Sequence, residues 1–286
     1  MEFWYTDQHT KNVRFSMKVK EQIATCESEF QRIDILQTEE FGKVLILDGE
    51  LMITQKDEFI YHEMITHVPM AVHPNVKQVL VIGAGDGGTI RELVKYKSIE
   101  RIDMVEVDKK VTDMCMEYFQ ETACGLSDRR VHMYFDEGLR YVRQQHDKYD
   151  LIIVDCADPC GPAEGLFTKE FYGNCFKALH EDGILINQHE SPYYCEHSKT
   201  VIKAHDHIKA VFPYSTVYQC HIPSYPSGHW LFGFASKVYD PIRDLKEKEW
   251  NQLGLDTRYY NTNLHKGSFY LPNYVIQLLG MEEHSS

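Results

Sequence analysis

The first part of the chain alternates apolar and polar positions, as β-strands do. The alternation runs through residues 15–20 and 30–36. Two short apolar runs, 44–47 and 51–54, are separated by Asp48-Gly49, a dipeptide that favours a tight hairpin turn. Residues 1–65 are therefore predicted to form a small antiparallel β domain.

From residue 58 the periodicity becomes helical, with apolar residues spaced along one face until near Pro69 and Pro74. Beyond it, strands and helices are predicted to alternate. Such alternation is typical of an α/β domain with a mainly parallel sheet covered by helices on both faces. We assign residues 66–286 to this domain and expect its aromatic tail to pack onto the body. The predicted strands are 78–82, 101–107, 131–135, 151–155, 184–188, 215–220 and 230–235, and the predicted helices are 89–96, 110–120 and 199–211.

Composition and net charge reduce the number of function classes to consider. Apolar residues make up 43% of the chain and the formal net charge is −13, which suits a globular protein and argues against nucleic-acid binding. No apolar run approaches the ~20 residues that a bilayer requires, and the first residues do not resemble a signal peptide. Eight scattered cysteines predict neither a disulfide framework nor a zinc set. We expect a cytoplasmic protein without membrane contact.

A glycine-rich turn follows the first strand of the α/β domain. Gly83, Gly85 and Gly88 match the G-x-G-x-x-G pattern between a strand and a helix, where the backbone can approach a nucleotide closely. Glu106 ends the next strand, 23 residues after Gly83, where a carboxylate can accept hydrogen bonds from both ribose hydroxyls. This arrangement predicts a nucleoside site.

The nucleoside is expected to carry a positive charge. Asp86 lies inside the glycine loop, where a carboxylate repels a diphosphate and attracts a cation, so a sulfonium or amine nucleoside fits better than NAD. At the end of the third strand, the carboxylates of Asp136 and Glu137, followed by Gly138, are candidates to accept a hydrogen bond from an adenine amino group.

A second acidic segment follows the strand 151–155. Asp155 and Asp158 lie three residues apart in a proline-containing loop at the end where open α/β sheets bind ligands. Together with Asp86 and Glu63 they predict an acidic cavity for a cation. Clustered carboxylates can also ligate Mg²⁺, but no phosphate substrate is in view and we predict no metal. His205 and His207, two apart on a predicted helix, are interpreted as surface residues.

These segments resemble the polyamine aminopropyltransferases, and specifically the spermidine synthases. The similarity extends in collinear order over nearly the whole chain. Its most specific parts are the D-x-x-D-P-x-G-P-A loop that starts at Asp155 and the string Ile222-Pro223-Ser224-Tyr225-Pro226-Ser227-Gly228. Further matches are residues 30–32, 57–64, 83–88, 105–108, 165–167 and 259–261, with His265 and Leu271-Pro272.

The resemblance implies a Rossmann-like domain of the class I methyltransferase type and an N-terminal β domain that contributes to a homodimer or homotetramer. It implies transfer of the aminopropyl group of decarboxylated S-adenosylmethionine, a co-substrate rather than a prosthetic group, to a diamine such as putrescine. The methylthioadenosine part is then held by Gln31, Gly83, Gly85, Asp86, Glu106, Val107, Asp136, Glu137, Gly138 and Pro162. The aminopropyl and diamine groups are lined by Tyr61, His62, Asp86, Asp155, Asp158 and Tyr225, of which Asp155, Asp158 and Tyr61 are the implied catalytic residues.

Some positions depart from the family pattern. Ala84 stands where Gly is usual, Glu137 where Asp is usual, and Gln55 where Glu is usual, while His189 is uncommon. The acceptor therefore stays open among putrescine, cadaverine, agmatine and longer polyamines, and the donor could retain its carboxylate. Three other functions also stay open. They are a methyltransferase, which would share the sheet and Glu106, a polyamine or nucleoside sensor without catalysis, and an NAD-dependent oxidoreductase.

Overall fold

A computed structural model describes residues 2–156 and 165–281 of the chain, apart from the side chains of residues 195–197. Its first part is a five-stranded antiparallel sheet in which each strand pairs with the next along the chain. The predicted antiparallel region is thus confirmed. The strands are β1 (Phe3–Thr10), β2 (Val13–Glu27), β3 (Arg32–Thr38), β4 (Lys43–Leu47) and β5 (Glu50–Thr54).

The β4–β5 hairpin turns where the sequence predicted it. Asp48 and Gly49 both have positive φ, +49° and +93°, which a two-residue type I′ turn requires. Strand β1 was not predicted individually. Its first large side chains, Phe3 and Trp4, are 62% and 56% exposed. The start of the strand therefore lacks the buried apolar face that an alternating sequence pattern would reveal.

The small sheet uses both of its faces. Ile33, Ile35 and Leu45 are fully or almost fully buried and join the largest apolar cluster, which continues into the second domain. Other buried residues, among them Val44 and Ile46, form a separate cluster on the other face. The first cluster therefore attaches the small sheet to the rest of the molecule.

Helix α1 (Glu58–Met70) connects the two sheets. Twelve of its thirteen residues are buried, so it lies inside the molecule and is not an amphipathic surface helix. Pro69 lies in its last turn, in agreement with the predicted end.

The second sheet has seven strands in the order β11-β12-β10-β9-β6-β7-β8. All neighbouring pairs from β10 to β8 are parallel, while the β11–β12 hairpin joins β10 antiparallel. This confirms the predicted Rossmann-like, mostly parallel sheet. The strands are β6 (Gln78–Gly83), β7 (Arg101–Glu106), β8 (Val131–Phe135), β9 (Tyr149–Asp155), β10 (Leu179–Gln188), β11 (Tyr214–His221) and β12 (His229–Ser236).

Helices connect these strands, and three short ones follow the last strand. After α1 come α2 (Gly88–Val94), α3 (Lys109–Tyr118), α4 (Gln120–Ala123), a 3₁₀ helix (Cys124–Ser127), α5 (Gly138–Arg143), α6 (Lys169–Ala178), α7 (Cys195–Lys209), α8 (Glu247–Gln252), α9 (Thr262–Ser268) and α10 (Asn273–Leu278). No helix in the described ranges is long and apolar enough to cross a membrane.

Two expectations about single residues need correction. His205 is not a surface residue, because only 3% of it is exposed and its ring lies 6.1 Å from that of His189. His207 is partly buried and its Nδ1 lies 2.8 Å from the carbonyl oxygen of Phe167. In the aromatic tail, Tyr260 is buried as expected, but Tyr270 is 77% exposed.

Candidate active site

The site lies at the point in the parallel sheet where the strand order reverses. Strand β6 is followed on one side by β7 and β8, whereas β9 pairs with its other side, and open α/β sheets bind ligands at such a switch point. Gly83 and Asp155, the last residues of β6 and β9, are directly paired. The backbone N–H of Ala84 donates to the carbonyl oxygen of Asp155 at 2.8 Å. The glycine loop and the acidic loop therefore begin side by side.

A cavity of about 260 Å³ opens at this point, between the two sheets and the start of α1. Twelve of the fifteen predicted site residues line it: Gln31, Tyr61, His62, Gly83, Gly85, Asp86, Glu106, Val107, Glu137, Gly138, Asp155 and Tyr225. Asp136 is not among its lining residues, since its carboxylate accepts from the Glu137 N–H and pairs with Arg140. Asp158 and Pro162 lie outside the described residues. The individual roles of all fifteen stay predictions.

The glycines of the loop leave room for neighbouring groups. A Cβ on Gly83, whose φ is +89°, would lie 1.9 Å from the carbonyl oxygen of Asp155. A Cβ on Gly85 would lie 3.0 Å from Oε2 of Glu106, and one on Gly88 would lie 2.2 Å from the ring of His62. The third glycine of the motif thus admits a protein side chain, the His62 imidazole, close to the start of α2.

Glu106 sits at the end of β7 beside the glycine loop. Burial raises the pKa of its carboxyl to about 7, although hydrogen bonds from the backbone of Asp108 and Val107 act in the opposite direction. The Asp108 N–H donates to Oε1 at 2.9 Å. Since a ribose diol can donate two hydrogen bonds to a carboxylate, this position fits the predicted ribose contact.

Gln31 reaches the same region from the turn between β2 and β3. Its amide Nε2 donates to Asp108 at 3.0 Å, and the Ser28 hydroxyl donates to the same oxygen at 2.6 Å. Asp108 also caps helix α3 by accepting from the Lys110 N–H. The small sheet is therefore linked by hydrogen bonds to the nucleoside end of the large one.

Asp155 is the most enclosed carboxylate of the cavity. The Thr89 hydroxyl donates to its Oδ2 at 2.6 Å, and Tyr61 forms a further side-chain hydrogen bond. Burial, followed by the negative charge of Asp86, raises the pKa of Asp155 despite these donors. A carboxylate in this state is a better proton acceptor than an exposed aspartate.

Asp86 has a different environment. Burial opposes its ionisation, yet the charge and hydrogen bond of His62 prevail and lower its pKa. The Gly88 N–H also donates to its Oδ1, at 2.7 Å. The two facing carboxylates are thus driven apart in pKa, a pattern found where one group exchanges a proton and the other stays charged.

Tyr61 and Tyr225 wall the cavity, but their hydroxyls are already engaged. The Tyr225 hydroxyl donates a hydrogen bond to the carbonyl oxygen of Met52 in β5 at 2.6 Å. Its proton is therefore used in a contact with the small sheet. Its oxygen can only accept from a bound amine. Tyr61 bonds to Asp155, and burial followed by that charge raises its pKa well above the usual value.

The predicted role of Glu63 in an acidic cavity is wrong. Its carboxylate points to the C-terminal segment, where it accepts from the backbone N–H groups of Arg258, Tyr259 and Tyr260, each at 2.8 Å. Three other acidic residues line the cavity instead: Asp7 of β1, Glu50 of β5 and Glu190 after β10. No local signal marks Asp7 or Glu50, because they reach the site through the packing of the small sheet.

Within the described residues, one cluster has the chemistry of metal ligands. His73, Asp150 and Asp182 lie at the opposite end of the strands, with ligand atoms within 4.8 Å of one another. Burial lowers the pKa of His73, and its Nδ1 accepts from the Asn75 N–H at 3.2 Å. The neutral ring therefore carries its proton on Nε2, which faces Asp182 at 3.6 Å. A protonated nitrogen offers no lone pair to a metal.

Fold and cavity together define a Rossmann-like enzyme that holds a nucleoside beside an anionic pocket. The chain matches two family models, the spermine/spermidine synthase domain over residues 58–246 and the spermidine synthase tetramerisation domain over residues 3–55. It belongs to the spermine/spermidine synthase family and is a polyamine aminopropyltransferase.

Similar proteins cover the chain almost completely. It is 75% identical to the polyamine aminopropyltransferase of Lachnoclostridium phytofermentans, covering 99% of this chain and all of that one. The enzyme of Alkaliphilus oremlandii is 65% identical over the same shares. A spermidine synthase crystallised with the transition state analogue AdoDATO is 42% identical, with a TM-score of 0.95 and coverage of 98% and 96%. Spermidine synthase from Thermotoga maritima is 41% identical, with a TM-score of 0.92 and coverage of 98% and 95%.

Proposed function

We propose that this aminopropyltransferase is a spermidine synthase that transfers the 3-aminopropyl group of decarboxylated S-adenosylmethionine to putrescine. The observation that carries the proposal is the pair of carboxylates beside the glycine loop, the partly buried Asp86 and the buried Asp155. Both substrates are cations, and a negative, enclosed pocket concentrates and orients cations.

The donor is proposed to lie across the glycine loop. Glu106 accepts from its ribose hydroxyls, Gln31 and Glu137 border its nucleoside, and the backbone of Gly85 approaches it without a side chain. A spermidine synthase crystallised with AdoDATO, 42% identical to this chain, supports such a donor. Asp86 then faces the aminopropyl arm.

The chemistry is a direct displacement. The amine nitrogen of putrescine attacks the propyl carbon next to the sulfonium, the new C–N bond forms, and the C–S electron pair goes to sulfur, which leaves in 5′-methylthioadenosine. Positive charge passes from sulfur to nitrogen, and the carboxylates of Asp155 and Asp86 stabilise it there. The proton then leaves the nitrogen for Asp155, whose raised pKa suits that step.

Positioning of the two reacting atoms contributes the rest of the rate enhancement. Tyr61 and Tyr225 enclose the methylene chain, so nitrogen and carbon are held in line and a bimolecular step becomes effectively unimolecular. Asp158 is proposed to assist Asp155 at the attacking nitrogen, as the family resemblance implies.

The small sheet is proposed to assemble the protein into a homodimer or homotetramer. It matches a domain described as a tetramerisation domain. Light scattering of the purified protein at micromolar concentration tests this assembly, and a monomer would contradict it.

Product analysis tests the reaction. The purified enzyme is incubated with S-adenosylmethionine or its decarboxylated form, each against putrescine, cadaverine, agmatine and spermidine, and the products are identified by mass spectrometry. We expect spermidine and 5′-methylthioadenosine, with decarboxylated donor and putrescine giving the highest kcat/KM. S-adenosylhomocysteine as product would establish a methyltransferase, and a higher kcat/KM with another amine would reassign the acceptor.

A further inference from the structure

The loop 222–228 joins β11 to β12 and carries Tyr225 in the wall of the cavity. It closes on itself through backbone hydrogen bonds. The Ile222 N–H donates to the carbonyl oxygen of Gly228 at 2.8 Å, and the Gly228 N–H donates to that of Tyr225 at 2.8 Å. Ser227 and Gly228 both have positive φ, +70° and +68°, and turn the chain back within this short distance. The loop thus has a shape of its own, and its attachment to the rest of the molecule decides where Tyr225 lies.

Asp57 immediately precedes helix α1, in the position from which an aspartate usually caps a helix. Its side chain makes no such capping hydrogen bond. The carboxylate, in a residue that is 4% exposed, accepts instead from Ser224 in the loop 222–228, from the backbone N–H to Oδ2 at 2.8 Å and from the hydroxyl to Oδ1 at 2.9 Å. The Thr54 hydroxyl also donates to Oδ1, at 2.6 Å. Asp57 therefore attaches the loop to the junction between β5 and α1.

Tyr225 is held from two sides by this same part of the chain. Its backbone follows Ser224 directly, and its hydroxyl donates to the carbonyl oxygen of Met52 at 2.6 Å. Between these two contacts, the ring packs edge-on against Trp230, with 4.7 Å between the ring centroids. The place of the Tyr225 ring in the cavity wall is therefore set by contacts with residues 52–57.

We infer that Asp57 is a positioning residue, which acts through Ser224 to hold the Tyr225 ring against the amine substrate. Asp57 does not itself line the cavity, so its effect on the reaction passes through the loop. The inference rests on the proposed function, in which Tyr225 encloses the methylene chain of the acceptor. Because the proposed donor contacts lie elsewhere, at Glu106 and the glycine loop, Asp57 should affect the acceptor and leave the donor unaffected.

The test compares Asp57→Ala with Thr54→Val in the full-length enzyme, by steady-state kinetics with putrescine and decarboxylated S-adenosylmethionine. Thr54 is a matched control, because its hydroxyl contacts the same carboxylate but belongs to β5 and not to the loop. In D57A we expect the KM for putrescine to rise about tenfold or more, while the KM for the donor and the affinity for 5′-methylthioadenosine stay within about twofold of wild type. In T54V both KM values should stay within about twofold of wild type.

Two further variants separate hydrogen bonding from charge. In Asp57→Asn the amide oxygen can still accept from the Ser224 N–H, and the NH₂ group can donate to the hydroxyls of Thr54 and Ser224, which accept as well as donate. D57N should therefore keep the KM for putrescine within about threefold of wild type. Ser224→Ala retains only the N–H contact and should raise this KM about threefold, and the double variant D57A/S224A should resemble D57A because the two residues act as one unit.

A parallel rise of both KM values in D57A, or a loss of kcat alone, would mean that Asp57 only stabilises the fold and would overturn the inference. A KM for putrescine as high in D57N as in D57A would also overturn it, because the charge and not the hydrogen bonds would then be acting. If D57A does not fold, S224A decides, and an unchanged KM for putrescine in that variant contradicts the inference. Should the wild-type enzyme prefer another amine, the proposed acceptor is wrong, and the same comparison with that amine still tests Asp57.

Discussion

The hydroxyl of Thr89, in the first turn of the helix after the glycine loop, donates a 2.6 Å hydrogen bond to the carboxylate of Asp155 at the end of the neighbouring strand. This contact joins the two loops that build the cavity and fixes one oxygen of Asp155. The Tyr61 hydroxyl forms a further hydrogen bond to the same carboxylate. Asp155 is therefore oriented before any ligand arrives.

Asp155→Asn should lower kcat by about 100-fold or more, because it removes both the proton acceptor and a charge that stabilises the reacting nitrogen. Binding of 5′-methylthioadenosine, measured by calorimetry, should change little. Thr89→Val is the matched control, since it removes the donor but keeps the carboxylate, and its kcat should stay within about tenfold of wild type. Undiminished turnover in D155N would remove Asp155 from the mechanism.

The raised pKa of Glu106 should make the affinity for the nucleoside depend on pH. Its pKa is raised to about 7 by burial, and only the ionised form accepts two ribose hydroxyls. The affinity for 5′-methylthioadenosine should therefore fall as pH drops below 7, approaching tenfold per unit, and level off above it. Titration calorimetry from pH 5.5 to 8.5 measures this. Glu106→Gln should bind weakly with no such dependence, and a wild-type affinity independent of pH would contradict the ribose contact.

Unfolding experiments test the charge on His62. Its pKa is about 10 in the folded protein and 6.5 as the ordinary value, so its contribution is complete below pH 6.5 and is lost as pH rises towards 10. Over that window the free energy of unfolding should fall by about 1.4 kcal/mol per pH unit from this group. Urea denaturation at pH 7, 8 and 9 should show a shallower slope for His62→Gln. Equal slopes would indicate a neutral ring.

Substitution of Glu63 should lower the stability of the protein without lowering its catalytic rate. Glu63→Gln replaces one acceptor oxygen by a donor that faces backbone N–H groups of the segment 258–260. The free energy of unfolding should fall by about 1.5–3 kcal/mol, since hydrogen bonds to charged groups contribute that much. The kcat of the folded enzyme should stay within about twofold. A large fall in kcat at unchanged stability would restore Glu63 to the site.

Two neighbouring residues of the glycine loop should differ in how strongly a substitution changes the stability of the protein. Gly83→Ala should destabilise the protein by more than about 2 kcal/mol, because its φ is +89° and a Cβ would overlap the Asp155 carbonyl. Ala84 also has positive φ, +64°. For Ala84→Gly, relief of that strain is offset by the lost methyl contact and the more flexible unfolded chain, so the change should be under about 1 kcal/mol. Thermal denaturation of both variants checks the contrast.

Local patterns predicted those parts of the molecule that are governed by neighbours in sequence. The Asp48-Gly49 hairpin, the strand–glycine–helix unit at Gly83 and the parallel sheet all follow from turn chemistry and periodicity. The family resemblance supplied Tyr61, Tyr225 and Gln31, which no spacing alone would place in one cavity.

Residues whose partners are distant in sequence could not be assigned in this way. Glu63 looks like any helical glutamate, and its three donors lie almost 200 residues further on. In the sequence pattern, His205 cannot be told from an exposed histidine on a helix. The packing of α7 nevertheless buries it. The engagement of the Tyr225 hydroxyl by Met52 depends on how the two sheets dock.

The cavity wall is shared between the sheets, with Asp7, Glu50 and Met52 from the small one and Glu106 and Asp155 from the large one. Substitutions in β1 or β5 can thus reshape the far wall while leaving the electrophile and its leaving group untouched. Changes confined to a segment of some fifty residues can in this way alter the volume of the cavity without altering the glycine loop.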